Sequence, residues 1–305
     1  VPHNVRISNQ LNLRWPIPTT LTSYLLRFSH HKLRNYKLLI NMHGDAQPIA
    51  GDIVYFHQFN LDYNFRAGTM RQRIVLAPLW WVRKKFIEDL RHSDTLILVN
   101  SAWTRAEAKK FWDLENVHIL YPPVPVEKLQ RYAGKPRSKN YVVTVSRFSP
   151  DRGIENIFEL AKEIPYAKFI IAGYTQDTRY FTRLLRQKPN NVLLCPNIEE
   201  RYKMELFKEA KVYLNPTPWA EGFGIAVAEG MAAGLIPVTK NIGGVIDFVP
   251  KKYRFNNLAE AERIIEETLT DWSPEKSLRI SNSVNKFSIG NFKDRLLNLL
   301  ERQRC

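Results

Sequence analysis

The sequence predicts an α/β protein with parallel sheets in two domains, and three observations carry that expectation. The first is the stretch Lys211 to Val249, KVYLNPTPWAEGFGIAVAEGMAAGLIPVTKNIGGVIDFV, which reads as strand, glycine loop, helix, strand, glycine loop, helix. The second is size: 305 residues, 44% hydrophobic and 25% charged, suffice for two ordinary domains and a substantial core. The third is Tyr121 to Asn140, YPPVPVEKLQRYAGKPRSKN, rich in Pro and basic residues and short of periodicity, which reads as an interdomain linker. The expected organisation is a first domain over 1–121, a linker over 122–140, a second domain over 141–287 and a closing helix over 288–305.

From the N-terminus, Val5 to Ile7 reads as a first strand; the sequence does not open on Met, and Ser8 to Thr20 contains no glycine. Leu21 to Tyr36 sets Leu21, Tyr24, Leu25 and Phe28 at helical spacing, followed by His30, His31, Lys32 and Arg34. That pattern suits a core helix with a solvated basic end or a helix lying in a membrane interface. Lys37 to Ile40, Asp52 to Phe56 and Arg73 to Ala77 read as strands. His57 follows the second of these at the carboxyl edge, where open α/β sheets bind ligands, and His43, in Met42-His43-Gly44-Asp45, competes with it as the site histidine. Pro78 to His92 opens with Trp80-Trp81 and continues with Arg83, Lys84 and Lys85. It reads either as a membrane-interface helix or as a domain helix with a solvated basic face.

Asp94 to Val99 is a strand, Thr104 to Trp112 a helix and Val117 to Leu120 the last strand of the first half. Tyr141 to Ser146 opens the second domain, with Arg147 at its carboxyl end and Arg152 just before the helix Ile154 to Ile164. Lys168 to Ala172 is a strand turned by Gly173, Val192 to Leu194 another, and the loop Cys195 to Ile198 leads into the helix Glu199 to Ala210. Beyond the central stretch, Asn257 to Thr270, Pro274 to Phe287 and Ile289 to Gln303 are amphipathic helices.

Composition narrows the function classes. No apolar run reaches the roughly 18 residues of a membrane-spanning helix, and no secretory signal opens the sequence. Cys195 and Cys305 are too few for a disulfide framework, and neither has a metal-site partner nearby, which points to a reducing cytoplasm. The 45 basic residues against 30 acidic ones give a net charge of +15, which attracts polyanions such as nucleic acid or an anionic membrane surface.

The central stretch carries the chemistry. A short strand, Val212 to Leu214, runs into a Pro-bracketed loop, Pro216 to Ala220, that ends in Glu221. Gly222 and Gly224 open an apolar helix, Ile225 to Ala233, which Gly234 stops; Leu235 to Thr239 is the next strand, and Gly243-Gly244 opens another helix. Glycines admit a ligand close to the backbone, and free N–H groups at a helix start attract anions, so the unit favours a phosphate ligand. Glu229 sits among apolar residues, where a carboxylate needs a partner. At helical rise it would lie about 12 Å from Glu221, so the two would hold different parts of an elongated ligand.

The string EGFGIAVAEGMAAGLIPV, opening at Glu221, resembles the signature of the retaining glycosyltransferases of family 4, which have the GT-B fold: two glutamates separated by seven residues, with a GFG-like turn after the first. The resemblance implies two doubly wound, Rossmann-like α/β domains facing each other across a cleft. It implies that Glu221 contacts the donor sugar near the reacting centre and that Glu229 binds the ribose hydroxyls. Backbone amides over Gly222, Phe223 and Gly224 would meet the sugar or pyrophosphate, with Ile225 and Gly173 also at the donor and Ile198 near the base. Arg147 and Arg152 would bind the diphosphate, Arg152 standing where the family usually carries Lys. His57 after its strand and the Tyr121-Pro122-Pro123 turn are similar to the same features of the lipid-linked-oligosaccharide mannosyltransferases of that family, which makes His57 a candidate catalytic residue. The glycine-free Ser8 to Thr20 departs from the family's glycine-rich first loop, and Asp247 stands where the family usually carries Glu.

The expected function is retaining transfer of a sugar from a nucleotide-sugar, with GDP-mannose as the donor the resemblance suggests. The sequence holds no Asp-x-Asp triplet, so no metal and no cofactor are expected. The charge and the Trp/Lys-rich helix suggest a polyprenyl-phosphate-linked glycan as acceptor, met by a cytoplasmic protein peripherally bound to an anionic membrane. Two alternatives remain: a basic nucleic-acid-binding protein, and an inactive transferase-fold binding subunit. No zinc finger, RNA-recognition aromatic pair or basic repeat supports the first. Intact Glu221, Glu229 and Arg147 count against the second, while the glycine-free first loop counts for it.

Overall fold

The computed structural model describes residues 38–175 and 177–304. The expectations for Val5 to Ile7, Ser8 to Thr20 and Leu21 to Tyr36 lie outside the described residues. The chain divides into two compact units between Thr95 and Leu96. The strand pairs named below are all parallel.

In the first unit, β1 (Ile40–Asn41) pairs with β2 (Ile53–Phe56), Ile40 opposite Ile53. All four β2 side chains are buried, as expected of a parallel strand covered on both faces. Helices α1 (Asn60–Ala67) and α2 (Met70–Arg91) follow. Arg73 to Ala77, expected as a strand, lies inside α2. The physical reason is local. The Thr69 side chain accepts the Gln72 N–H while Gln72 reaches back to the Thr69 N–H, a capping box that starts the helix before the β-branched pair Ile74-Val75. Both of those residues are exposed, whereas a strand would have buried one face.

The same helix separates its aromatic and basic residues. Trp80 is half-buried and stacks on Phe65 with centroids 4.5 Å apart, whereas Trp81 is exposed. Lys84 and Lys85 are exposed, but Arg83, expected among the membrane-facing charges, is 1% exposed. Its guanidinium donates to the Gly44 carbonyl at 2.6 Å, pairs with Asp62 at 3.5 Å and lies over the Phe56 and Phe59 rings. Arg83 is a core residue.

The second unit opens with the pair β3 (Leu96–Val99) and β4 (Val117–Ile119), joined by α3 (Ala102–Trp112). The Pro-rich stretch read as a linker is packed rather than free. It contains α4 (Val126–Gln130); Val124, Val126 and Leu129 are fully buried, and the Val124 N–H donates to the Phe287 carbonyl at 2.8 Å. Arg137 is buried too, donating to the carbonyls of Ala210 and Ala233, and burial pushes its pKa down to about 10. Such a charge is tolerated because carbonyl oxygens surround it.

The main sheet has the order β10-β9-β8-β5-β6-β7. Its elements in chain order are β5 (Tyr141–Val145), α5 (Ile154–Glu163), β6 (Lys168–Gly173), α6 (Thr178–Gln187), β7 (Val192–Pro196), α7 (Glu200–Glu209), β8 (Val212–Asn215), α8 (Ile225–Ala232), β9 (Ile236–Lys240) and β10 (Arg254–Phe255). Helices α9 (Leu258–Thr270), α10 (Pro274–Ser283) and α11 (Ile289–Arg304) close the chain. Of these, α6 and β10 have no counterpart in the sequence reading. Val142, Phe169, Ile171 and Val212 face one core, and Val143, Ile170 and Tyr213 face the other, the alternation of a sheet covered on both sides. The helix expected after Gly243-Gly244 is a single 3₁₀ turn, Gly243–Asp247.

Candidate functional site

The strand order locates the site. From β5 the chain winds outward through β6 and β7, then returns to β8 and winds the other way through β9 and β10. Loops leaving β5 and β8 therefore diverge, opening a crevice at the carboxyl ends where strand order reverses. A cleft of about 200 Å³ lies there, lined by Arg147, Arg152, Asn215, Glu221, Gly224 and Ile225 among others. A second, of about 330 Å³, shares Val145 with it and is lined by Gly173, Tyr174, Asn197, Ile198 and Lys203.

In the first cleft two cations meet a web of carboxylates. Arg152 donates through Nη1 to Glu221 Oε1, and Asn215 Nδ2 donates to the other oxygen of that carboxylate at 3.1 Å. Asp151 lies 3.3 Å from Arg152 Nε and 3.5 Å from Arg147 Nη2. Partial burial raises the Asp151 pKa, but the Ser149 hydrogen bond and the two arginines outweigh it and hold the carboxyl below its ordinary value. Arg152 is mostly buried, with 20% of its side chain exposed, whereas Arg147 is 55% exposed at the rim. No side chain caps the N-terminus of α8, whose N-cap Gly224 has φ 95°, and Ile225 beside it lines the cleft.

Two close backbone approaches require glycine. At Gly173, φ is 156° and a Cβ would overlap the Ser146 carbonyl. At Gly244 a Cβ would overlap the Gly222 carbonyl, and the Gly244 N–H donates to the Glu221 carbonyl at 2.8 Å. The Gly243–Gly244 turn thus backs the loop that carries Glu221.

Helical rise does not run unbroken from Glu221 to Glu229, because the helix begins only at Ile225 and Glu221 belongs to the preceding loop. Glu229 pairs with Lys203 at 3.3 Å, the partner that a carboxylate on an apolar helix needs; the side chains are 17% and 15% exposed. Lys203 also pairs with Glu200 at 3.0 Å and lines the second cleft. The Phe223 ring turns away from both clefts into an aromatic cluster with Tyr121, Phe248 and Phe287, so only its backbone belongs to the donor loop. Gly222 is buried, with its carbonyl 3.4 Å from the Thr104 hydroxyl.

The structure thus gathers Arg147, Arg152, Glu221, Gly224 and Ile225 around one cleft, and Gly173 and Ile198 around its neighbour. His57 belongs to the first unit. Its Nε2 is 2.8 Å from the Met42 carbonyl, so that nitrogen carries the proton. The two competing histidines prove to be neighbours, their rings 5.3 Å apart, and His43, Asp45 and His57 hold possible ligand atoms within 4.8 Å of one another. They supply three donors, with His43 on an exposed turn. Sequence reasoning missed Asn215, Lys203 and Asp151. Asn215 ends β8 at the ligand-binding edge, a legible signal; Lys203 lies 26 residues before Glu229, with nothing local to mark it.

The model of the family described as glycosyl transferases group 1 matches residues 126–286. Curated relatives include the human GDP-Man:Man(3)GlcNAc(2)-PP-Dol alpha-1,2-mannosyltransferase, 28% identical over 68% of this chain and 48% of its own length. The protein of that name from Neurospora crassa is 24% identical over 73% of this chain and 48% of its own. The chain spans about half the length of these relatives. Among solved structures, Anabaena Alr3699/HepE in complex with UDP superposes with a TM-score of 0.69 at 14% identity, covering 91% of this chain and 82% of that one. Sucrose-phosphate synthase from Thermosynechococcus elongatus gives 0.66 at 16%, covering 92% and 71%. At such identities the likeness is one of fold.

Proposed function

This chain belongs to the group 1 glycosyl transferases, and we propose that it moves mannose from GDP-mannose to a lipid-linked glycan with retention of configuration. The observation that carries the reading is the adjoining pair of clefts at the strand-order reversal, one holding Arg147, Arg152 and Glu221, the other bordered by Lys203, the partner of Glu229. The names of the curated relatives support mannose as the sugar and a diphosphate-linked lipid glycan as the acceptor.

In this mechanism Arg147 and Arg152 meet the diphosphate charge that grows as the sugar departs, with the open N-terminus of α8 aimed at the same anion. Glu221 exchanges its ion pair with Arg152 for hydroxyls of the sugar, freeing the guanidinium for phosphate. Glu229 holds the ribose, and Ile198 and Gly173 border the base. No metal takes part, since the two arginines supply the positive charge that a bridging cation would otherwise bring. His57 is a catalytic candidate through its place after β2. The test is transfer of labelled mannose from GDP-mannose to a lipid-linked glycan in the presence of EDTA. No transfer from GDP-mannose overturns the reading, and loss with EDTA reversed by magnesium or manganese overturns its metal-free form.

Glu229→Ala is expected to weaken GDP binding about 10- to 150-fold, the worth of a charge-assisted hydrogen bond of roughly 1.5–3 kcal/mol. Calorimetry checks it; unchanged GDP affinity in a folded variant removes Glu229 from the ribose.

The acceptor reading carries a membrane surface with it. Among the described residues no helix is long and apolar enough to cross a membrane. Helix α2 instead exposes Met70, Ile74 and Trp81 by 76%, 67% and 62% along one face, with Lys84 and Lys85 in the turn after Trp81. That face is proposed to rest on anionic lipid. Lysines near such a surface contribute about 1 kcal/mol each, so Lys84→Glu with Lys85→Glu should lower liposome binding at least about 30-fold. Co-sedimentation with anionic and neutral vesicles at two salt concentrations decides it; indifference to lipid charge sinks the docking face. Arg83 stays out of the variant because its loss would report unfolding.

A further inference from the structure

We propose that Asp247 is a positioning residue for this transfer: it braces the Gly243–Gly244 turn against helix α3 and so holds Glu221 and Gly222 where the donor sugar would lie. The assignment rests on the glycosyl-transfer reading above.

The 3₁₀ turn Gly243–Asp247 is anchored at both ends. At its start, Gly244 N–H holds the Glu221 carbonyl at 2.8 Å, and the lack of a Cβ at Gly243 and Gly244 lets this backbone lie directly on that of Glu221 and Gly222. At its end, Asp247 Oδ2 accepts the backbone N–H of Ala102 at 2.6 Å and the Tyr121 hydroxyl at 3.3 Å. Ala102 is the first residue of α3, so the carboxylate occupies a helix N-terminus, where backbone donors and the helix dipole both favour a negative charge. Ser101, the N-cap of α3, serves the Thr104 N–H, and Asp247 serves a different donor of the same helix end.

The loop under the sugar is therefore held from several directions. The glycine turn fixes the Glu221 carbonyl, the Thr104 side chain of α3 packs beside the Gly222 carbonyl while its proton goes to Asn100, and the Phe223 ring is clamped among Tyr121, Phe248 and Phe287. Asp247 is where these supports meet: it closes the turn, caps the helix and holds the aromatic Tyr121 by its hydroxyl. Burial, and after it the Asp247 charge, raise the Tyr121 pKa, which keeps the proton on the hydroxyl that donates to Asp247. Asp247 lines neither cleft, so its influence on the reaction passes through the backbone of Glu221. The second cleft is lined mainly by β6, the loop after β7 and α7, and Glu229 stands inside α8, beyond the braced loop.

The brace should matter for the sugar and not for the nucleotide. Removing it lets Glu221 drift, and a misplacement of about 1 Å remote from the chemistry can cost up to about 100-fold. The experiment measures GDP affinity by calorimetry, together with kcat and KM for GDP-mannose, in wild type, Asp247→Ala, Asp247→Asn and Tyr121→Phe. Asp247→Ala should keep GDP affinity within about 2-fold and lower kcat by about 10- to 100-fold. Asp247→Asn keeps a carbonyl acceptor toward Ala102 and should recover most of that loss; Tyr121→Phe, which removes one arm only, should fall between. Should the Ala variant fail to fold, Tyr121→Phe carries the same split in smaller measure. Unchanged turnover in folded Asp247→Ala or Tyr121→Phe overturns the assignment, as does a parallel fall of GDP affinity and kcat, the mark of general loosening. A wild-type chain that neither binds GDP nor transfers mannose overturns the transfer reading itself, and Asp247 falls with it.

Discussion

Arg152→Ala is expected to lower turnover with GDP-mannose by about 10²–10³-fold, the loss typical of removing one preorganised donor from developing charge. Arg152 is the better-buried of the two cleft arginines, and its guanidinium is already held by Glu221 and Asp151. These two carboxylates fix the orientation of the guanidinium. Little reorganisation is then left for the reaction step, which is why the loss should fall on kcat more than on KM. Arg152→Lys should sit between, because an ammonium keeps the charge and loses the planar fork that can grip Glu221 and a phosphate in turn. Arg147, more than half exposed, should cost less when replaced. Steady-state kinetics on variants with wild-type unfolding curves measure all three. Equal kcat in wild type and Arg152→Ala would leave the diphosphate assignment without its main support.

Arg83→Ala is expected to destabilise the first unit by about 3–5 kcal/mol, the cost of stranding one partner of a buried ion pair. The pair with Asp62 is almost fully enclosed, and the same guanidinium serves the Gly44 carbonyl and two phenylalanine faces. Chemical denaturation followed by a probe in the first unit reads the loss. Replacing both partners by apolar residues, Arg83→Met with Asp62→Leu, should recover much of it, because the desolvation cost then vanishes along with the attraction. A single variant as stable as wild type would show that solvent reaches the pair. The outcome also bears on α2 as a membrane-facing helix: one of the three basic residues that follow Trp81 serves the interior, so only two remain for lipid.

The sequence by itself determined the elements whose signals are local. The glycine-punctuated run from Lys211 to Val249 dictated strand, loop and helix because φ > 0 at Gly224, closeness at Gly244 and an apolar helix leave few other solutions. The sequence also placed Arg147 just beyond a strand, Glu221 in the loop after another and Ile225 at a helix start, on the side where an α/β sheet presents its ligand groups. What only the tertiary structure decided concerns partners distant in the chain. Arg83 reads as one of a run of surface cations and becomes a core residue because Asp62 and Gly44 fold around it. The Pro-rich stretch 121–140 reads as an interdomain linker, and only the fold shows that Val124 and Leu129 lie in the core and that Arg137 finds carbonyls 73 and 96 residues away. Lys203 reaches Glu229 across 26 residues, and Asp247 meets Ala102 across 145. Periodicity and turn chemistry report on neighbours within a few residues; burial and charge pairing depend on which distant atoms the fold brings within about 4 Å, and no local pattern carries that information.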